Sequence, residues 1–117
     1  MKRDFEDFLQ DILTAAENAQ NFVEELEFED FRNDVEKVYA VTRAFEIIGE
    51  ASRKVPVEIQ SKYPQLPWSE MIGMRNVLIH DYVGVDEAVL WRTIQEDLPQ
   101  LCETIRTVLV SMGRDGE

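Results

Sequence analysis

Apolar residues recur every three or four positions along almost the whole chain, and this spacing narrows the possible folds more than any other feature. The first such stretch predicts a helix from about Asp4 to Leu26, because a single apolar face with this period is typical of an amphipathic α-helix. Acidic residues in its first turn, among them Glu6 and Asp7, suit the positive end of the helix dipole. Strand patterns are not found, so the chain is expected to be all-α.

A second helix is predicted from about Phe31 to Lys54. Gly49 lies inside it, and since a glycine there costs about 1 kcal/mol relative to alanine, we expect a neighbouring helix to approach closely at that position. Glu46 and Glu50 are one helical turn apart, which allows an acid pair or a metal site. A solvated or salt-bridged face is the simpler interpretation of the two glutamates.

Prolines divide the remainder of the chain. Pro56 is expected to open a short helical turn, and Pro67 fits the first position of a third helix that should end by Gly84. Asp86 is a candidate N-cap for the last helix, which Pro99 should kink. Together these patterns predict an antiparallel bundle of four or five helices.

Length and composition predict one ordinary globular domain over residues 1–112, with a frayed tail at 113–117. A single cysteine, Cys102, excludes an internal disulfide, fits a reducing cytoplasm and is expected to be a small residue beside the core. No apolar run approaches the roughly 20 residues of a membrane span. The acidic N-terminus also lacks an export signal, so we expect a cytoplasmic protein without a membrane role.

The formal net charge of −12 argues against a broad phosphate-binding surface. The charge is uneven: residues 1–36 carry 3 Lys/Arg against 12 Asp/Glu, residues 37–80 carry 6 against 4, and residues 81–117 carry 3 against 8. The middle segment therefore leaves room for a local positive cleft on an acidic body. An acidic exterior also suits a basic protein partner.

That basic segment leads into the only histidine of the chain, His80, which is preceded by Arg75 and Asn76 and followed by Tyr82. On an ideal helix, positions 76 and 80 share a face, whereas positions 75 and 80 are offset by roughly 140°. The long arginine side chain can bridge this offset. Whether Arg75 and His80 converge is the question that the ideal helix leaves open.

These side chains suit a phosphodiester. An imidazole exchanges protons near neutral pH, and a guanidinium holds a phosphate and stabilises the negative charge that grows in the transition state. Asp81 alone is insufficient for a metal site, so none is predicted at His80. Cleavage by 2′-hydroxyl attack is best served by both a base and an acid, and a two-fold dimer would supply a second His80. The alternative is a capping histidine beside a solvated Arg-Asn pair.

The run RNVLIHDY at residues 75–82 resembles the Arg, polar residue, three-residue spacer, His, any residue, Tyr signature of HEPN-domain ribonucleases. It is most similar to the HepT toxins of type II toxin–antitoxin modules of the MntA/HepT type. Three further stretches resemble the family in the same order, FEIIGEASRKVP, YPQLPWSEMIGMRN and DYVGVDEAVLWRTIQEDLPQL. The resemblance covers roughly residues 40–101.

The resemblance implies a HEPN-like helical fold, a symmetric dimer with a shared cleft, and RNA cleavage without metal or other cofactor. By motif position, Arg75 and His80 take the catalytic roles and Asn76 supports them. It also implies a nucleotidyltransferase antitoxin that transfers AMP from ATP to Tyr82, which would fill the phosphate site and repel RNA. The alternative function is a non-catalytic helical module that binds a nucleotide or a protein partner.

Overall fold

The computed structural model describes residues 4–79 and 86–113, and for residues 75–79 it describes the backbone alone. Within these ranges there are seven helices and no strand, so the all-α prediction is confirmed. The helices are α1 (Phe5–Phe22), α2 (Phe28–Arg32), α3 (Val35–Lys54), α4 (Val57–Lys62), α5 (Trp68–Ile79), α6 (Glu87–Glu96) and α7 (Leu98–Ser111).

Helix α1 begins where the sequence predicts and ends four residues earlier. Asp4 is the N-cap: its carboxylate accepts from the Asp7 N–H at 3.1 Å, and the Asp7 carboxylate accepts from the Asp4 N–H at 3.1 Å. This reciprocal pair satisfies two of the N–H groups that every helix start leaves open. The chain leaves the helix at Val23, whose side chain is still buried in the core.

The predicted second helix is two helices, because α2 ends at Arg32 and α3 begins at Val35. Asn33 Nδ2 donates to the Glu29 carbonyl at 2.8 Å, and the Asp34 carboxylate accepts from the Lys37 N–H at 3.1 Å. Short polar side chains that bond the backbone in this way compete with the helical ladder. The predicted continuous helix from Phe31 was therefore wrong.

The predicted last helix is also divided. Asp86 caps α6 as expected, since its Oδ1 accepts from the N–H groups of Ala88 at 3.1 Å and Val89 at 3.2 Å. The helix ends at Glu96, and α7 starts after Asp97 with Pro99 in its first turn. N–H groups in the first turn of a helix have no helical acceptor, so a proline there loses no hydrogen bond. Pro99 therefore lies at the start of α7 and not at a kink inside one continuous helix.

The core lies between α1, α3 and α7, and α5 packs mainly on α3. Its most enclosed large side chains come from all four of these helices and from α2 and α6, including Leu9, Ile12, Leu13, Phe31, Ile48, Met71, Leu90, Leu98, Ile105 and Leu109. No described helix combines the length and apolarity needed to cross a membrane.

Two smaller predictions concern polar residues near this core. Glu46 accepts from Arg43 at 3.4 Å and Glu50 from Arg53 at 2.9 Å, so the two glutamates form a salt-bridged face. Cys102 is buried in the core, as the sequence predicts.

Candidate active site

Helix α5 carries the first half of the predicted motif. The helix begins at Trp68, one residue after Pro67, whose carbonyl accepts from the Met71 N–H at 2.9 Å. Its backbone stays helical to Ile79, so Arg75 and Asn76 lie in the second half of α5. The predicted residues His80 and Tyr82 lie outside the described residues. The convergence of Arg75 with His80 therefore stays a prediction.

The start of α5 is fixed by side chains that reach back to the preceding turn. Trp68 Nε1 donates to the Tyr63 carbonyl at 3.0 Å, and the indole is buried. Leu66 is buried just before it, and Met71 is buried completely one turn into the helix. Because tryptophan needs a partner for its N–H when buried, this bond sets the position of the helix start. The backbone at Arg75 thus follows directly from a firmly packed turn.

The other end of the motif segment is fixed as well. Asp86 caps α6, and Leu90 and Ile94 of that helix are buried in the core. In the sequence, His80 and Tyr82 fall between the ends of these two packed helices.

Gly73 leaves open space on α5 close to the motif. A Cβ atom built at this glycine meets no described atom within 4 Å. Gly73 precedes Asn76 by three residues, so the two positions are neighbours along the helix. A glycine inside a helix costs about 1 kcal/mol relative to alanine, and close packing does not account for this one. Among the described atoms, the surface at Gly73 is therefore open.

The cations of α3 are engaged at the surface that α3 shares with α1. Lys37 Nζ lies 6.0 Å from the ring centroid of Phe22, and Lys54 Nζ lies 6.0 Å from that of Phe8. The two arginines of α3 pair with glutamates of the same helix. Four of the six cations in the basic segment thus have partners away from the motif. The two remaining cations of the segment are Lys62 and Arg75.

Neither a metal site nor a reactive cysteine is found in the described ranges. Within residues 4–79 and 86–113, no three His, Cys, Asp or Glu side chains are grouped so that they could hold a metal ion. Burial raises the pKa of the Cys102 thiol above its ordinary value, although Gln20 Nε2 donates to its Sγ at 3.2 Å and opposes the shift. A raised pKa keeps the thiol protonated and unreactive at neutral pH.

The sequence interpretation missed one feature, a groove of about 430 Å³ that separates α5 from α7. We call it the α5–α7 groove and define it by its lining residues: Gln65, Pro67, Glu70, Met71 and Met74 on the α5 side, and Glu96, Asp97, Gln100, Leu101 and Thr104 on the other. Each wall repeats the spacing i, i+3, i+4, i+7, from Pro67 and from Asp97. That repeat was visible in the sequence, but it reads equally well as an ordinary core stripe.

Comparison with known proteins assigns the chain to a family. The family model described as "Ribonuclease HepT-like" matches residues 12–108. A protein of Thermococcus cleftensis described as a probable ribonuclease HepT is 50% identical over 101 residues, which cover 86% of this chain and 92% of the relative.

Two proteins of Methanocaldococcus jannaschii that carry RNase names are also similar. MJ1380 is 43% identical over 107 residues, which cover 92% of this chain and 98% of the relative. MJ1216 is 40% identical over 115 residues, which cover 97% and 95%. No solved structure matches the chain significantly. The family match spans the bundle and the whole motif segment, and the chain belongs to the HepT-like ribonuclease family.

Proposed function

We propose that this chain is the toxin of a type II toxin–antitoxin module and acts as a metal-independent endoribonuclease. The observation that supports this most directly is the family match over residues 12–108, which includes α5 and the complete Arg75-to-Tyr82 segment. Two relatives with ribonuclease names match this chain over nearly their full lengths. The firmly packed start of α5 and the open surface at Gly73 are consistent with a site at this helix.

The proposed reaction begins when RNA places a phosphodiester beside Arg75. The guanidinium binds two phosphate oxygens and stabilises the charge that grows on them in the transition state. His80 exchanges the proton as the 2′-oxygen attacks phosphorus and the bond to the 5′-oxygen breaks. The products are a 2′,3′-cyclic phosphate and a 5′-hydroxyl. Asn76 is the polar residue that orients a non-bridging oxygen.

A dimer would complete this chemistry. One histidine cannot remove the proton from the 2′-hydroxyl and protonate the leaving oxygen at the same moment. A two-fold axis beside the motif would bring a second His80 and a second Arg75 to the same cleft. The active unit that we propose is therefore a homodimer, and a monomer that cleaves RNA at an undiminished rate would contradict this part of the proposal.

Tyr82 is the proposed point of control. A nucleotidyltransferase antitoxin would transfer AMP from ATP to its phenolic oxygen, with pyrophosphate as the leaving group. The added phosphodiester carries a negative charge and would lie near Arg75 and His80, where it would occupy the phosphate site. We expect the modified toxin neither to bind nor to cleave RNA, and the unmodified toxin to do both.

The activity is tested by incubating the purified chain with total RNA in excess chelator. We expect discrete cleavage by the wild type, and a loss of about 100-fold or more in Arg75→Ala and His80→Ala, since removal of one transition-state donor commonly has this effect. Arg92→Ala is the matched control, because it removes the same charge from an exposed position of α6. Equal activity in Arg75→Ala and Arg92→Ala would rule out the proposed site. Partner binding without any cleavage would favour the non-catalytic module.

The modification is tested by intact mass after co-expression with the product of the neighbouring gene, the proposed source of the nucleotidyltransferase. We expect one or more adenylyl groups on the wild type and none on Tyr82→Phe. Tyr39→Phe is the control, because Tyr39 is 72% exposed and lies on α3 outside the motif. Adenylyl mass that persists in Tyr82→Phe would move the modification to another residue.

A further inference from the structure

The α5–α7 groove has the geometry of a site for a helix. Its walls are Pro67, Glu70, Met71 and Met74 on one side and the run from Asp97 to Thr104 on the other. Each wall extends over seven residues, which is roughly 10 Å at the α-helical rise of 1.5 Å per residue. A two-turn groove between two helices accommodates the i, i+3, i+4, i+7 face of a third helix.

The floor of the groove is apolar and adaptable. Met71 and Leu101 are buried at its base, and Met74 is partly buried beside them. Methionine is flexible and polarizable, so it adjusts to the side chains of an incoming apolar face. In the described structure α5 packs mainly on α3, while α7 packs on α1 and α6. The facing sides of α5 and α7 are thus not filled by a further helix of the described chain.

The rim of the groove carries charge of one sign. Glu70 lies on the α5 side, and Glu96 and Asp97 lie where α6 meets α7. All three are exposed, and within the described residues none makes an ion pair or accepts a side-chain hydrogen bond. No Lys or Arg is among the described residues that line the groove. By contrast, Glu17, Glu29, Glu46 and Glu50 each pair with an arginine.

This charge decides between the classes of occupant. RNA phosphates and anionic lipid headgroups would be repelled by three unpaired carboxylates. A second copy that used the same groove across a two-fold axis would place its carboxylates against identical ones, which is unfavourable. A helix with an apolar face flanked by Lys or Arg matches the groove, because its apolar face would pack on the floor and its cations would pair with the carboxylates of the rim.

We infer that the α5–α7 groove binds a basic amphipathic helix of a protein partner, with apolar side chains on Pro67 and Met74 above the buried Met71 and Leu101, and cations at Glu70, Glu96 and Asp97. Met74 directly precedes Arg75 in the chain, so the bound helix lies beside the motif helix. The binding does not require ribonuclease activity. Its consequence, control of the motif by the partner, rests on the proposed function.

The test uses the full chain and a synthetic amphipathic peptide of about 15 residues, since shorter helices are marginal in water. Leucine occupies the helix-spaced positions and lysine the others, and a second peptide has glutamate in place of lysine. Binding is measured by fluorescence anisotropy and mapped by amide chemical shifts. We expect the lysine peptide alone to bind, more weakly as salt is added, with shifts concentrated in α5 and α7.

The decisive comparison is between two doubly substituted chains. Glu70→Gln/Glu96→Gln should weaken binding of the lysine peptide about five-fold, because two exposed ion pairs are lost. Glu58→Gln/Glu103→Gln removes the same charge from exposed positions of α4 and α7 outside the groove and should change binding less than two-fold. Native circular dichroism and melting curves confirm that both chains are folded.

Several outcomes would overturn the inference. These are no binding, equal binding of the glutamate peptide, equal weakening in both doubly substituted chains, or shifts that map to other helices. A change in the sedimentation of the free chain on Glu70→Gln/Glu96→Gln would instead identify a second copy as the occupant. RNA cleavage is measured in parallel. Cleavage without peptide binding would contradict only the proposed docking groove, and peptide binding without cleavage would contradict only the proposed ribonuclease activity.

Discussion

The α1–α3 seam, where Phe8 and Phe22 of α1 meet Lys54 and Lys37 of α3, differs from the α5–α7 groove in how its charges are satisfied. At the seam the lysines lie over aromatic rings, and the arginines of α3 are paired with glutamates. At the groove α5 and α7 are separated, and negatively charged carboxylates lie at the rim of an apolar floor. The two regions are made of similar amphipathic helices, so the helices themselves do not explain the difference.

The contrast separates a surface that stabilises the bundle from one that is available for recognition. Cation–π contacts and exposed ion pairs each contribute modestly, but at the seam they cover side chains that are already packed. Unpaired carboxylates beside exposed apolar surface contribute little to the isolated chain. They acquire a role when a partner of opposite charge covers them.

The largest effect should come from a comparison of the core below the seam with the floor of the groove. Ile48 is fully buried in α3, so Ile48→Ala should lower the free energy of unfolding by about 2–5 kcal/mol. Met74→Ala should cost clearly less, because Met74 is only partly buried. Urea denaturation of both variants measures this difference. Equal losses of unfolding free energy in the two variants would show that the groove floor is part of the core, and the difference between seam and groove would not hold.

The two helix glycines sharpen the same comparison. Gly73→Ala should stabilise the chain by up to about 1 kcal/mol, since the added methyl group meets open space in a helix. Gly49→Ala should be destabilising, because Gly49 is buried on α3 and overpacking commonly costs about 1–3 kcal/mol. Thermal melts of both variants provide the measurement, and a gain at both positions would contradict the close helix approach predicted at Gly49.

Cys102 gives a pH-dependent test of the core. Burial, opposed by the Gln20 hydrogen bond and by Arg106, raises the pKa of its thiol above its ordinary value in the folded chain. Above the pKa of the unfolded chain the unfolded state loses this proton first, so stability should fall as the pH rises through the folded pKa. Cys102→Ala should show a shallower decline in unfolding free energy as the pH rises above about 8.5, the thiol's ordinary pKa. Parallel pH profiles for the two proteins would contradict the shift.

The smallest effect should come from the ion pair between α1 and α7. Arg106 Nη2 lies 2.6 Å from Glu17 Oε2, and this hydrogen bond raises the pKa of Arg106. Both side chains are more than a third exposed, so solvent screening limits the contribution. Glu17→Gln should lower the unfolding free energy by less than about 1 kcal/mol, and high salt should reduce the difference further. A loss above 2 kcal/mol would show that this pair belongs with the packed seam.

Much of the fold was predictable from local chemistry. The apolar spacing predicted helices throughout, and the cap at Asp86 and the short helix after Pro56 lie where the sequence places them. The errors fell at breaks inside long apolar patterns. Asn33 and Asp34 end one helix and start the next, and Asp97 does the same before Pro99. Their side-chain and turn geometry interrupted patterns whose apolar spacing continued across them.

The candidate site divides in the same way. Residue types and spacing made Arg75, Asn76 and His80 candidates for a phosphodiester site, and the resemblance to the family signature favoured this interpretation and gave Tyr82 its regulatory role; these roles stay predictions. The other basic residues of segment 37–80 could not be assigned to the site in this way. Lys37 and Lys54 belong to the basic segment, yet their ammonium groups lie over aromatic rings of α1.

The sequence by itself determined the helical class, the motif and its family, because each depends on residues close together in the chain. Only the tertiary structure decided that α5 packs on α3 and stands apart from α7. Glu70 is 26 residues from Glu96, and no local pattern relates them. Their meeting at one rim depends on how the helices pack, because packing brings distant residues together on surfaces that the sequence order does not reveal.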